Sequence, residues 1–505
     1  MFTVYTLNVY VVNIPNPRQL KSQWQGLCRP CFVIASMAIA TNSMSAQLDA
    51  RCASALTVRD ASHCLASFHQ DAPVPAIDPA HTYALPELID LAEQASPDGR
   101  IAWAAAKRSL ERAGTDRALY LPLLTLVVQG SDLRAIVPFP KPLAPRGYVT
   151  VEEPTAAAQL ELEYTLLDFG RAPRIDGSRA LELASTLRLG RVHQTIAYQT
   201  ASLYYKSQQA TGQWIAAQTI LETANTLLEN AQAQFNQGRA TLPDVQNAQA
   251  GAAEAQFDLA AAVGEVRKAS VALTESIGVE PSPDLHIEVQ QIHTLATLSD
   301  TVEELLQSAW RSRPDLLARA QNVRQSKDAL RVVSAGTRPT LAFSATGGQT
   351  VTWPTADFGQ LGYANVSTWS VEARLRWEIF NGARRHEIAA AQTEQRTALE
   401  EQRAARDAVS RQVWDAYVDY ETSVAQVHAS ESFLLAAQTS YDSSLDAYKY
   451  GVRSLVDVVQ AERQLAQARL ANVRSQSQYK QSAVALGYAT GDLLRSDASA
   501  TGVQP

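Results

Sequence analysis

The stretch Phe235-Asn-Gln-Gly238-Arg-Ala-Thr-Leu242-Pro-Asp244-Val245 returns 213 residues later as Tyr448-Lys-Tyr-Gly451-Val-Arg-Ser-Leu455-Val-Asp457-Val458. Ala272-Leu273 with Ala485-Leu486, and Gly278 with Gly491, hold the same offset. Upstream, Pro97-Asp98 pairs with Pro314-Asp315 and Leu121-Pro122-Leu123-Leu124 with Arg338-Pro339-Thr340-Leu341, now 217 residues apart. Leu85-Pro86-Glu87-Leu88 and Val302-Glu303-Glu304-Leu305 open the two copies. An offset that changes by a few residues between collinear stretches is the mark of an internal duplication with unequal loops.

Each copy reads as helix, strand, long loop, strand, very long helix, glycine-marked turn and returning helix. After Pro173 in the opening turn, residues 172–235 hold no proline and few glycines, and 383–448 hold neither. Each span is therefore expected as one helix of roughly 95–100 Å at 1.5 Å per residue, too long for a compact domain. In the returning segment, Leu259, Val263, Val266, Ser270, Leu273 and Ile277 recur at spacings of four and three. They make a narrow seam for coiled-coil packing beside small polar flanks.

The second strand of each copy alternates. Val371, Leu375, Trp377 and Ile379 interleave with Glu372, Arg374, Arg376 and Glu378, and Leu160, Leu162, Tyr164 and Leu166 with Glu161, Glu163 and Thr165. Period two puts charge on one face and apolar side chains on the other. That pattern fits a soluble sandwich or a lipid-facing barrel equally. Strands are expected at about 121–130 and 158–168 in the first copy and 339–348 and 369–380 in the second. The loops between them carry Pro138, Pro140, Pro142 and Pro145, or Gly347, Gly348, Pro354 and Gly359.

Of the 505 residues, 19% are charged and 46% hydrophobic, with a net charge of -7, which argues against a nucleic-acid binder because no basic face is visible. No run reaches the roughly 18 apolar residues of a spanning helix, so a membrane crossing would need a closed barrel. The longest apolar run, Cys31 to Ala40, follows Lys21 and Arg29 and leads to small residues. That is the layout of an export signal within 1–46, with cleavage after Ala40 or near Ser45–Ala46. The leader holds three basic residues and no acid, so its removal takes the charge from -7 to -10. Cys28 and Cys31 fall inside it; Cys52 and Cys64 survive cleavage and are able to pair in an oxidising periplasm. The expected organisation is the leader, a linker at 47–81, repeats at 82–278 and 301–491, a connector at 279–300 and a tail at 492–505.

The duplicated G-x-x-x-L-x-D-V turns, with the strand-to-helix corners Leu167-Asp168-Phe169-Gly170-Arg171 and Phe380-Asn381-Gly382-Ala383-Arg384, resemble the TolC family of outer-membrane factors over residues 82–492. The resemblance implies a mainly α fold with a membrane β-barrel. Three protomers would each give four strands to one twelve-stranded barrel and long helices to an α-helical barrel, because four strands alone leave open edges in lipid. It also implies a homotrimer in outer-membrane lipid, reaching into the periplasm and working with a periplasmic adaptor (a membrane fusion protein) and an inner-membrane RND or ABC pump. The function it implies is a passive exit duct for small molecules such as drugs or toxic solutes. Type I protein secretion is the alternative, and a periplasmic structural coiled coil or adaptor the reading from a different class. An adaptor has one hairpin flanked by compact β domains, whereas this chain repeats hairpin and strands twice.

In the family's topology the turns at Gly238 and Gly451 form the periplasmic tip, with Arg239 and Val452 as adaptor-contact candidates. Arg239 stands where the family has a small apolar residue. Asp244 and Asp457 sit one turn inside, either as rings of carboxylates favouring cations or as first-turn acids of their helices. Arg453 and Tyr448 match positions that hold relatives closed, with Asp244 a candidate partner for Arg453, and Gln460 stands where some relatives carry an acid. The eight histidines, His63, His69, His81, His193, His286, His293, His386 and His428, show no ligand spacing and read as scattered surface residues. No nucleophile elbow, phosphate loop or paired-carboxylate motif is present, so neither enzyme nor cofactor is expected.

Overall fold

In the computed structural model, the described residues are 77–493 except 79, 142–143, 289–300 and 451. The expected export signal, Cys52 and Cys64, three parts of the organisation (most of the 47–81 linker, most of the connector and most of the tail), His63, His69, His293 and Gly451 lie outside them.

Two short helices open each repeat: α1 (Leu85–Ala95) and α2 (Pro97–Arg117) in the first, and α5 (Val302–Ser312) and α6 (Pro314–Ala335) in the second. A proline stands at the first turn of α2 and α6, where its missing N–H costs nothing. Strands β2 (Leu123–Pro138) and β3 (Tyr148–Leu167) follow in the first repeat, and β5 (Thr340–Thr352) and β8 (Ala364–Arg376) in the second. Two-residue strands β6 (Thr355–Ala356) and β7 (Gly359–Gln360) fold over the loop between β5 and β8, and β1 (Thr82–Tyr83) pairs in parallel with β4 (His286–Ile287).

The long helices α3 (Arg171–Asn236) and α7 (Arg384–Lys449) each run 66 residues. The returning helices α4 (Leu242–Ile277) and α8 (Leu455–Thr490) each run 36. The hairpins differ inside. The tip half of the first is packed with alanine, Ala224 and Ala231 against Ala248, Ala252 and Ala255. The second buries Tyr441, Tyr448, Val458 and Leu465 at its tip and, further up, two serine pairs. Ser423 and Ser482, and Ser430 and Ser475, meet with 2.7 Å between their hydroxyl oxygens.

The four long strands form one antiparallel sheet in the order β2–β3–β5–β8. The pairing aligns Leu124 with Leu162 and Ala345, then Val371, on one face. It aligns Thr125 with Glu161, Thr346 and Ser370 on the other. Among the described residues no second layer covers the apolar face: Leu124 is 64% exposed, Leu126 65% and Leu375 65%. The soluble-sandwich reading is thereby removed.

The ladders differ in extent from the expected 121–130, 158–168, 339–348 and 369–380. β2 and β3 run well beyond the apolar band because backbone pairing continues after Asp132, Arg134 and Glu152 replace leucines on the outer face. Alternation marks only the part of a strand that meets lipid, about 9–11 residues. β8 stops at Arg376, opposite Thr340, because Pro339 has no N–H with which to extend the ladder.

The repeats are joined near mid-height by a buried polar knot. Arg313, 2% exposed, donates to both carboxylate oxygens of Asp315 (3.1 and 2.7 Å), to Gln412 Oε1 (2.9 Å) and to the Ala489 carbonyl (3.0 Å). Arg191 of the first repeat lies 3.7 Å over the Tyr488 ring and donates to the Tyr488 carbonyl at 3.0 Å. A buried arginine is tolerable only when so fully engaged.

The histidine expectation needs one correction. His193 is 5% exposed, held inside by α1 packing on α3, with Nδ1 3.9 Å from Glu93 Oε2. His81, His286, His386 and His428 are exposed.

Candidate functional site at the helical turns

α3 ends at Asn236, and Gly238 takes the left-handed conformation (φ 69°) that an L side chain rarely adopts. The Arg239 amide then donates to the Gln234 carbonyl at 2.9 Å, closing the turn. Gly238 and Arg239 are exposed. At the second turn Val452, 78% exposed, donates its amide to the Ala447 carbonyl at 2.8 Å. Both tips therefore present backbone and side chain outward, one cationic and one apolar.

Asp244 accepts from the Thr241 amide (2.8 Å) and hydroxyl (2.6 Å), and Asp457 from the Ser454 amide (3.2 Å) and hydroxyl (2.8 Å). Each is the third residue of its helix, the reciprocal half of a capping box. The hydroxyl and amide of Ser454, with the Arg453 charge, hold the Asp457 carboxyl below its usual range. Capping takes one oxygen of each carboxylate, Oδ2.

Arg453 is not placed on Asp244: it donates to Ser444 Oγ at 3.3 Å. Tyr448 is the residue that feels the Asp244 charge. It is 7% exposed, its hydroxyl has no hydrogen-bond partner among the described residues, and burial first and the Asp244 charge second push its pKa up. Gln460 is exposed on α8.

Sequence reading missed the contacts between the two hairpins. Arg463 on α8 meets Glu254 on α4 at 3.1 Å, 209 residues apart, and Glu462 beside it is 8% exposed with its carboxyl pushed up by burial. Neither lies in the duplicated motif. The only available signal was a charged residue, Glu462, on the buried stripe of Val458, Ala461 and Leu465.

The arrangement suits a mechanical element. Asp244 and Asp457 at the turns are helix caps, and no group of three or more metal-ligating side chains is found among the described residues. The family model for outer membrane efflux protein matches residues 88–279 and 305–492. Protein CyaE of Bordetella pertussis is 27% identical over 440 residues, 84% of this chain and 87% of that one. Outer membrane efflux protein BepC of Brucella suis is 23% identical over 339 residues, 67% of this chain and 72% of its own length. The solved outer-membrane channel OprN superposes with a TM-score of 0.69 at 17% identity, covering 84% of this chain and 98% of that structure. This chain is a member of the outer membrane efflux protein family, with the TolC-like fold and a place in the outer membrane that extends into the periplasm.

Proposed function

We propose that three copies of this chain form a passive duct through which small solutes leave the periplasm, driven by an inner-membrane RND or ABC pump and joined to it by a periplasmic adaptor. The observation that carries the reading is the uncovered four-stranded sheet, whose outer strands β2 and β8 each have one unpaired edge. In lipid those edges would leave amides and carbonyls without partners, at several kcal/mol each. Three sheets joined β8 to β2 remove every edge and give a barrel wide enough for an aqueous lumen. Glu161, Glu163, Glu372 and Arg374 then line that lumen while the leucines meet lipid.

Below the barrel, α3 and α7 would carry the wall some 100 Å into the periplasm. Toward the tip, the Glu254–Arg463 pair links one hairpin to the other within a protomer. Both members of that pair are well exposed, so a single copy contributes little, on the order of 0–1 kcal/mol, and closure rests on its threefold repetition. Arg239 and Val452 at the two tips would meet the adaptor. The reaction class is transport with no chemistry at the protein.

Growth of the producing bacterium with the gene deleted tests the proposal. Sensitivity to dyes, detergents or antibiotics should rise and should be restored by re-expression. Unchanged sensitivity together with loss of one protein from the culture medium would assign the duct to type I secretion instead.

A further inference from the structure

The two repeats diverge where α2 meets α3 and α6 meets α7. In the first repeat Trp103, 4% exposed, fills this junction with Ala106 and Leu189. At the 217-residue offset its counterpart is Ala320, and at the 213-residue offset of the long helices Leu189 becomes Gln402. The Glu93 and His193 positions become Trp310 and Arg406 by the same offsets.

Where the first repeat is plugged, the second has a groove of about 570 Å³ between α5, α6 and α7. Trp310, Leu316 and Leu399 form its apolar floor and Arg311, Arg403 and Arg406 its rim. Arg406 lies 4.0 Å over the Trp310 ring, whose Nε1 donates to Ser410 Oγ at 3.2 Å. Among the described residues Arg311 and Arg403 have no carboxylate partner, and the nearby Glu401 is taken by Arg319 at 2.9 Å. Leu399 is 46% exposed.

We infer that this groove is a docking site for an acidic, amphipathic segment of a second periplasmic protein, seated with its apolar side chains on Trp310 and Leu399 and its carboxylates against Arg311 and Arg403. The volume falls in the range of specific pockets, roughly 300–1,000 Å³. A cleft between helices with an apolar floor takes an amphipathic segment by its i, i+3 and i+4 anchors. Three cations, two of them unpaired, select the charge of the occupant.

Lipid is the wrong occupant on grounds of depth. Leu399 and Arg406 lie 15 and 22 residues beyond the start of α7, hence roughly 22 and 33 Å below it, whereas headgroups add only about 5–8 Å to each side of the hydrocarbon. A second copy of this chain as the occupant would show as a change of particle size in light scattering, with no dependence on the acidic peptide.

Fluorescence anisotropy on the full-length, detergent-extracted protein tests the site, using a labelled peptide with the pattern Glu-x-x-Leu-Leu-x-x-Glu and a twin carrying glutamine for glutamate. The acidic peptide should bind. Affinity should fall about tenfold or more for the glutamine twin, for Arg403→Glu and for Ala320→Trp, which restores the first repeat's plug. Light scattering should show the same particle for the parent and each variant. Should Ala320→Trp fail to fold, the double variant Arg311→Glu with Arg403→Glu decides. Three results overturn the inference: no binding of the acidic peptide by the parent, equal binding of the glutamine twin, or a variant that changes the oligomer and leaves binding untouched.

Discussion

Glu93 and His193 are held against each other between α1 and α3, and burial acts on them in opposite senses. It raises the Glu93 carboxyl to about 7 from an ordinary 4.5, with the Asp90 charge adding to it, and lowers the His193 imidazole. A carboxyl raised in the folded state stabilises fully below pH 4.5, and that contribution is lost as pH climbs to about 7. A lowered imidazole contributes above 6.5 and loses its contribution on acidification. Glu93→Gln should remove the first slope, raising stability at pH 8 by up to about 3 kcal/mol while leaving it nearly unchanged at pH 4.5. Thermal unfolding of the detergent-extracted protein at the two pH values reads this directly; a variant with the parent's pH dependence would show that Glu93 titrates normally. None of this was legible in the sequence, where His193 is one of eight scattered histidines. Burial of a single side chain depends on which of two helices turns toward it, and a helix with small residues on several faces does not announce that choice. Asp244 and Asp457 were legible as special, because a first-turn acid after Thr or Ser at the end of a glycine turn is a local signal.

At the scale of elements, the long helices were readable to within a residue, Arg171–Asn236 against 172–235 and Arg384–Lys449 against 383–448, because breakers bound them sharply. The strands were readable only where they alternate. Their pairing is exacting at Gly348, where a Cβ would come within 2.1 Å of the Ala158 carbonyl oxygen, whereas at Gly347 it would meet nothing within 4 Å. Gly348→Val should therefore force β3 and β5 apart and deplete assembled protein from the outer membrane, and Gly347→Ala should not. Quantifying heat-resistant assembled protein in outer-membrane fractions separates the two, and equal yields would contradict the register. The hairpins invite a similar comparison. Ser423→Leu overpacks a site where two hydroxyls meet at 2.7 Å and should cost about 1–3 kcal/mol, while the double change to alanine should be nearly neutral because both partners leave together. A double-mutant cycle by thermal unfolding checks it.

For the whole molecule, the duplication supplied the architecture and hid the asymmetry. Matching motifs fix what the repeats share, but contacts between repeats have no local signature. Arg191 with Tyr488 is separated by 297 residues, and Glu254 with Arg463 by 209. Those contacts make two similar halves into one wall, and Glu254–Arg463 is a link a closed tip would have to release. The most direct test of the central claim is single-channel conductance of the purified protein in planar bilayers, beside a variant carrying Asp244→Ala and Arg463→Ala. A trimeric duct closed at its tip predicts discrete, cation-preferring steps in the parent and larger steps in the variant. A folded, membrane-inserted protein that passes no current in either form would contradict it.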